Sequence, residues 1–304
     1  YRWLEDDART SQEVAAWIEA QNRVTSAYLQ AIPQREAIRA RLTALWDHER
    51  FGVPQKVGAR WTFSRNDGLQ NQAVVYLLDR LDGEPRVLFD PNGWSADGTV
   101  ALAGTSWSDD GRWAAYGIAD AGSDWKKWKI RDVESGQDLP ETLEWIKFSW
   151  PAWTPDGKGL FYARYDAPKE GSSAYQAVNE FPKLRYHRLG TAQSEDVLVY
   201  HRPDQPKWGF YPQVSEDGRW LVISVSRGSG NKSKLMVRDL GDPYAMPVEL
   251  VGDFEAEWSY VGNDGPLFYV HTDQDAPRGR VVAIDLRRPL PEHRREILPQ
   301  SAQT

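Results

Sequence analysis

Serines next to glycines are the first place to look for a catalytic nucleophile in this sequence. One serine lies at the centre of Gly104–Ser108, another at the centre of Gly171–Tyr175, and Ser229 lies between two glycines. A serine on a nucleophile elbow follows the pattern G-x-S-x-G, because it sits on a sharp turn from strand to helix. The first two stretches lack the final glycine, and the glycines around Ser229 are typical of a flexible hairpin. We therefore predict that residues 1–304 contain no serine-protease triad.

Histidines, carboxylates and cysteines give no catalytic or metal-binding pattern either. Glu13 and Glu19 lie six positions apart on one predicted helix and so face different directions. Asp109 and Asp110 lack the distal glutamate of an EF-hand loop, which favours a role as turn formers. The sequence has no cysteine, which excludes thiolate nucleophiles and disulfides. None of the histidines has a metal-ligand spacing such as H-E-x-x-H, and we predict no metal and no cofactor. They are His48, His187, His201, His271 and His293.

Charge and hydrophobic content exclude two classes of partner. The 304 residues carry 37 basic and 44 acidic side chains, and the basic ones are scattered instead of forming a stripe that neutralises phosphates. No apolar run reaches the roughly 18 residues of a membrane-spanning helix. We therefore expect neither a nucleic acid nor a membrane as partner. A soluble protein without cysteine suits the cytoplasm and the periplasm equally, so the compartment is open.

The many aromatic residues admit two interpretations. The chain has 15 tryptophans and 13 tyrosines, which would suit stacking platforms for bases or sugars. Most of them alternate with other residues in short strand-like runs, which favours packing between sheets.

The elements that must position any site begin with helices. Apolar residues recur at helical spacing after Ser11, a predicted N-cap, and again over Arg35–Trp46, beyond the interruption at Pro33. We predict a two-helix segment over residues 1–54.

A turn motif with Asp-Gly recurs in the remainder of the chain. It appears as Ser108–Trp113, Thr154–Gly159 and Ser215–Trp220, with a weaker copy at Asn263–Gly265, and each copy precedes a strand-like run. The glycines are 46, 61 and 47 positions apart. A β-sandwich would explain the strands but not this period, which is typical of a β-propeller. We predict a mainly β fold, a partial seven-bladed-type propeller with about five blades over residues 55–304. An open set of blades exposes strand edges, so we expect a longer parent chain.

Several strings resemble prolyl oligopeptidases and occur in the order found in that family. Tyr1–Asp6 and Gln21–Asn22 resemble its N-terminal segment. The others lie in the repeats, at Gly68–Gln72, Leu88–Asn92, Asp97–Leu102, Gly122–Trp125, Lys147–Ser149, Ala152–Thr154, Leu189–Thr191 and Gln193–Asp196. Their collinear order is more specific than any single string.

The resemblance implies a serine peptidase that cleaves short peptides after proline. In such an enzyme a seven-bladed propeller covers an α/β-hydrolase domain, which carries the serine, aspartate and histidine of the triad. The N-terminal segment packs on the hydrolase domain, and the propeller excludes large substrates. The implied partners are short proline-containing peptides and the hydrolase domain of the same protein. The alternative is a non-catalytic propeller that binds a protein or ligand.

Four substrate-binding positions follow from the resemblance. Phe148 matches a phenylalanine that lines the family's substrate cavity, although an ordinary core aromatic at the end of a strand is the open alternative. Gly209, Ser226 and Ser229 stand where better-known members have methionine, arginine and cysteine. These departures predict that the substrate residues before the proline are bound differently here than in the better-known members of the family.

Overall fold

A computed structural model describes residues 1–168 and 178–302 of the chain. The predicted serine stretch Gly171–Tyr175 lies outside the described residues. The chain forms two compact units, the first containing Tyr1–Gln55, Trp61–Gly98 and residues 167–168 and 178. The second contains Lys56–Arg60, Thr99–Asp166 and the described residues from Asn179 onward. Of the helices in the described part, none has the length and apolar character that crossing a bilayer requires.

The helices of the first unit have the predicted positions. A 3₁₀ turn at Arg2–Glu5 precedes α1 (Gln12–Gln30) and α2 (Arg35–Trp46). The Ser11 hydroxyl accepts a hydrogen bond from the amide of Val14 at 3.4 Å, which confirms the N-cap. The apolar face of α2 is half exposed or more at Ile38, Leu42, Leu45 and Trp46.

Sheet A follows the helices and contains the first five strands. It has the order β1-β3-β4-β5, with β2 also paired to β3. The strands are β1 (Arg50–Phe51), β2 (Gln55–Val57), β3 (Arg60–Asn66), β4 (Val74–Leu78) and β5 (Arg86–Phe89).

The second unit consists of four antiparallel sheets, and each contains four consecutive strands paired in chain order. Sheet B has β6 (Val100–Trp107), β7 (Trp113–Asp120), β8 (Lys126–Asp132) and β9 (Asp138–Ile146). Sheet C has β10 (Ala152–Trp153), β11 (Gly159–Arg164), β12 (Lys183–Arg188) and β13 (Val197–Tyr200). Sheet D has β14 (Trp208–Val214), β15 (Trp220–Arg227), β16 (Ser233–Asp239) and β17 (Val248–Val251). Sheet E has β18 (Trp258–Asp264), β19 (Leu267–Thr272), β20 (Arg280–Asp285) and β21 (Arg295–Leu298).

The recurring Asp-Gly motif joins the first two strands of sheets B to E, as predicted. In the copy between β6 and β7, the Ser108 hydroxyl donates to Asp110 at 2.6 Å and accepts from the Trp113 amide at 2.9 Å. Gly111 follows with φ 70°, a left-handed conformation that glycine adopts without a Cβ clash. The same serine and aspartate contacts recur around Gly218 between β14 and β15.

The sheets of the second unit pack face to face in chain order. In β11, Leu160 packs with residues of sheet B, whereas Phe161 packs with residues of sheet D. In β15, Leu221 faces sheet C and Val222 faces sheet E. Successive side chains on a strand point to opposite faces, so the inner sheets of this row are covered on both sides. Sheets B to E are thus successive blades of a β-propeller, with several tryptophans in the core between sheets, and sheet A is a fifth antiparallel sheet. Those buried are Trp128, Trp153, Trp208, Trp220 and Trp258.

Candidate functional site

Phe148 lies in the connection between β9 and β10. Its side chain is 49% exposed, and its φ of 58° is in the left-handed region. Phe148 is therefore not buried within the described part of the chain, and it lies beyond the strand end at Ile146. A residue with a Cβ is unfavourable in this conformation, so neighbouring contacts must hold it there.

Lys147 supplies one such contact by placing its ammonium group near two aromatic rings. The Nζ atom lies 5.1 Å from the ring centroid of Trp125 and 5.3 Å from that of Phe148. The lysine side chain is only 15% exposed, and its Nζ lies 3.9 Å from the Asp124 carboxylate. Cation–π contacts contribute about 0.5–1 kcal/mol at exposed sites and more where water is excluded. Lys147 therefore links Phe148 to Trp125.

Trp125 is the centre of an aromatic cluster. Its ring meets those of Trp145 and Tyr165 edge to face, at centroid distances of 5.9 and 5.7 Å. The Tyr165 amide donates to the Trp145 carbonyl at 3.0 Å. Burial raises the pKa of Tyr165, and the neighbouring Tyr211 phenol raises it further. The cluster is thus linked to Phe148 through Lys147 and lies near Tyr211 on β14.

Gly209 and Ser226 are brought together as cross-strand partners in sheet D. Tyr211, two residues beyond Gly209, lies beside both, and the Ser226 hydroxyl donates to the Tyr211 phenol at 3.3 Å. Ser229 lies apart from them in the exposed turn after β15. Within residues 1–168 and 178–302, no hydrogen bond or ring contact joins Ser229 to Phe148 or Gly209.

These residues share one end of the sheets. Because strands in a meander alternate in direction, the β7–β8 turn, the β9–β10 connection and the β15–β16 turn all emerge opposite the Asp-Gly turns. A cavity of about 480 Å³ runs along the first strands of sheets B, C and D. Its lining begins in sheets C and D at Pro151 and Pro212 and reaches the Asp-Gly turns at Asp109 and Glu216. Phe148 and Tyr211 do not line this cavity and lie beyond it, towards the end of the sheets opposite the Asp-Gly turns.

The sequence interpretation missed Lys147, Trp125, Tyr165 and Tyr211. One signal was available for Tyr211, because residues two apart on a strand share a face and Tyr211 follows Gly209 by two. Trp125 follows a strand of sheet B and Tyr165 follows a strand of sheet C, so no spacing in the sequence predicts that their rings meet.

Residues 1–304 match the family described as prolyl oligopeptidase, N-terminal beta-propeller domain. The chain belongs to the prolyl oligopeptidase family. It is 36% identical over 303 residues to a prolyl endopeptidase from Elizabethkingia miricola, a match that covers 100% of this chain and 42% of that protein. A structure from a study of inter-domain dynamics in two prolyl endopeptidases has 37% identity and a TM-score of 0.74, over 99% of this chain and 43% of the other.

A second structural relative is prolyl oligopeptidase B from Galerina marginata bound to a 25mer macrocyclization substrate. It has 28% identity and a TM-score of 0.87, over 99% of this chain and 44% of that one. This prolyl oligopeptidase propeller thus spans less than half the length of these relatives. The predicted resemblance and the predicted propeller fold are both confirmed.

Proposed function

We propose that this chain is the propeller part of a serine peptidase that cleaves short peptides after proline. The observation that carries the proposal is the family match over residues 1–304, together with relatives that are named prolyl endopeptidases. The catalytic serine, aspartate and histidine of this enzyme are supplied by an α/β-hydrolase domain outside residues 1–304.

The aromatic cluster supports the assignment of this end of the propeller as a wall of the substrate cavity. A peptide site needs apolar surface with a few fixed polar groups. Phe148 offers an exposed ring, held by Lys147, and Gly209 and Ser226 lie near the Tyr211 phenol at the same end. Ser229 extends this wall in the neighbouring turn. The propeller admits short peptides and excludes folded proteins.

The N-terminal segment, residues 1–54, packs on the hydrolase domain in this proposal, and residues 55–304 form the blades. The exposed apolar face of α2 at Leu42 and Trp46 supports this arrangement, since such a face is favourable only when covered.

The first experiment compares the full-length protein with the chain of residues 1–304. We expect the full-length protein to hydrolyse a chromogenic peptide with proline before the scissile bond and to react with a fluorophosphonate probe, with the labelled peptide mapping outside residues 1–304. The 304-residue chain should do neither. Labelling within residues 1–304 contradicts the assignment of the triad, and an inert full-length protein favours a non-catalytic propeller.

The second experiment tests exclusion by size. One proline-containing sequence is presented to the full-length enzyme as a free short peptide and as a loop of a stable folded protein. We expect cleavage of the free peptide only. Equal kcat/KM for the two forms contradicts the role of the propeller as a size filter.

A further inference from the structure

Tyr211 has a ring that covers a glycine. Gly209 and Tyr211 lie two residues apart on β14 and therefore share one face of sheet D. A Cβ placed on Gly209 would lie 3.3 Å from Cε2 and 3.1 Å from Oη of Tyr211. The phenol thus occupies the space that a side chain at position 209 would fill.

Ser226 holds the phenol from the adjacent strand. It pairs with Gly209 in the β14–β15 register, and its Oγ lies 3.3 Å from Tyr211 Oη. That distance is long for two hydroxyl groups, so this hydrogen bond is a weak one. A Cβ on Gly209 would also lie 3.0 Å from Ser226 Oγ, so the glycine leaves room for both hydroxyl groups of this contact.

The phenol proton of Tyr211 is available to a ligand. Tyr211 Oη and Ser226 Oγ lie 3.3 Å apart, a weak contact in which either hydroxyl can donate, so the phenol proton can turn to a ligand that accepts it. Tyr211 is 38% exposed. The phenol contacts Ser226, one residue before the end of β15, so this neutral hydrogen-bond donor lies at the same end of the sheets as the exposed ring of Phe148.

Resting on the proposed proline-specific activity, we propose that Tyr211 determines which residues are preferred upstream of the proline. Its phenol donates a hydrogen bond to an acceptor on the substrate side chain, so that glutamine is favoured over methionine, a side chain of similar length without a strong acceptor. Gly209 and Ser226 are positioning residues that act through Tyr211.

The test uses the full-length enzyme and two pairs of peptides, with glutamine or methionine either one or two positions before the proline. A neutral hydrogen bond is a modest interaction, so we expect kcat/KM to favour glutamine by about threefold to tenfold at one of the two positions. In Tyr211→Phe the ratio should fall to about 1, because the ring is kept and only the donor is lost. Tyr244→Phe is the matched control, since Tyr244 is 90% exposed in the β16–β17 connection, at the opposite end of sheet D.

A second variant tests the role of the glycine. Gly209 does not have a left-handed backbone, so Gly209→Ala is compatible with the strand but pushes on the Ser226 hydroxyl and on the Tyr211 ring. We expect this variant to lose the preference for glutamine although the phenol is still present. Hydrolysis with the same glutamine-to-methionine ratio in wild type and Tyr211→Phe overturns this inference alone. An enzyme that hydrolyses none of the peptides contradicts the proposed function as well.

Discussion

Phe148 and Trp145 hold left-handed backbone conformations within four residues of each other, with φ of 58° and 62°. Each such residue costs roughly 1–2 kcal/mol relative to a right-handed conformation. The contact of Lys147 with the Phe148 ring and the hydrogen bond from Tyr165 to the Trp145 carbonyl offset part of that cost. Strained conformations of this kind concentrate at functional sites. This supports the proposal that the Phe148 ring serves binding.

Phe148→Ala in the full-length enzyme should lower kcat/KM for short proline peptides by about tenfold, because a binding ring is lost. We expect only a small change in Tm, since the side chain is half exposed. Phe181→Ala is a matched control, because Phe181 has φ 59° and is 40% exposed. Within the described residues, no ring or cation contact joins Phe181 to Lys147. Unchanged kinetics with a large loss of Tm would show that Phe148 acts only in folding.

At the scale of the elements, the Asp-Gly turns differ in what surrounds their glycines. Gly218 has φ 71°, and a Cβ there would lie 2.5 Å from Cγ of Pro155 in the corresponding turn of sheet C. Gly157 has φ 63°, but its nearest neighbour would be 3.8 Å away. An alanine at Gly157 would therefore lose stability through its backbone conformation alone, whereas an alanine at Gly218 would lose it through the backbone and through contact with Pro155.

Gly157→Ala should lower the unfolding free energy of the chain by about 1–2 kcal/mol, the cost of a left-handed alanine. Gly218→Ala should lose about 1–3 kcal/mol more, because its methyl group overlaps Pro155. Chemical denaturation followed by tryptophan fluorescence measures both. Equal losses would show that the Gly218 turn moves away from Pro155 without cost.

Elements that depend on contacts between nearby residues could be predicted from the sequence, whereas those that depend on contacts between sheets could not. The first hairpins of sheets B, C and D were predictable because a serine or threonine, an aspartate and a glycine form each turn through contacts within six residues, as Ser108, Asp110 and Gly111 do in sheet B. The Ser11 cap is equally local. The contact between Tyr211 and Gly209 could be predicted only in part, because their spacing of two residues places them on one face of a strand but does not give the position of the ring. The exposure of Phe148 was not predictable, because it depends on packing between a connection and two sheets.

For the molecule as a whole, a buried polar network joins sheets B and C. The Gln193 side chain donates to the Glu144 carbonyl at 3.1 Å and to the Tyr162 hydroxyl at 2.8 Å. Tyr162 in turn donates to Asp196, whose other oxygen lies 2.7 Å from Nδ1 of His187. Asp196 and His187 are buried, so each depends on these partners for its hydrogen bonds. The contact between sheets B and C therefore depends on Tyr162 keeping its phenol proton.

Alkaline pH should destabilise the chain through Tyr162. Burial, and after it the charge of Asp196, raises the pKa of Tyr162 well above its ordinary value near 10. Above about pH 10 the unfolded state releases this proton while the folded state keeps it, so stability falls by about 1.4 kcal/mol per pH unit for the one group.

Urea denaturation at pH 8, 10 and 11 should show a smaller alkaline loss of stability in Tyr162→Phe than in wild type. That variant should also be about 1–3 kcal/mol less stable at pH 8, because Asp196 loses a donor. Tyr244→Phe, at a highly exposed position, should retain the wild-type pH dependence, and an identical alkaline loss in all three proteins would show that Tyr162 does not couple folding to pH.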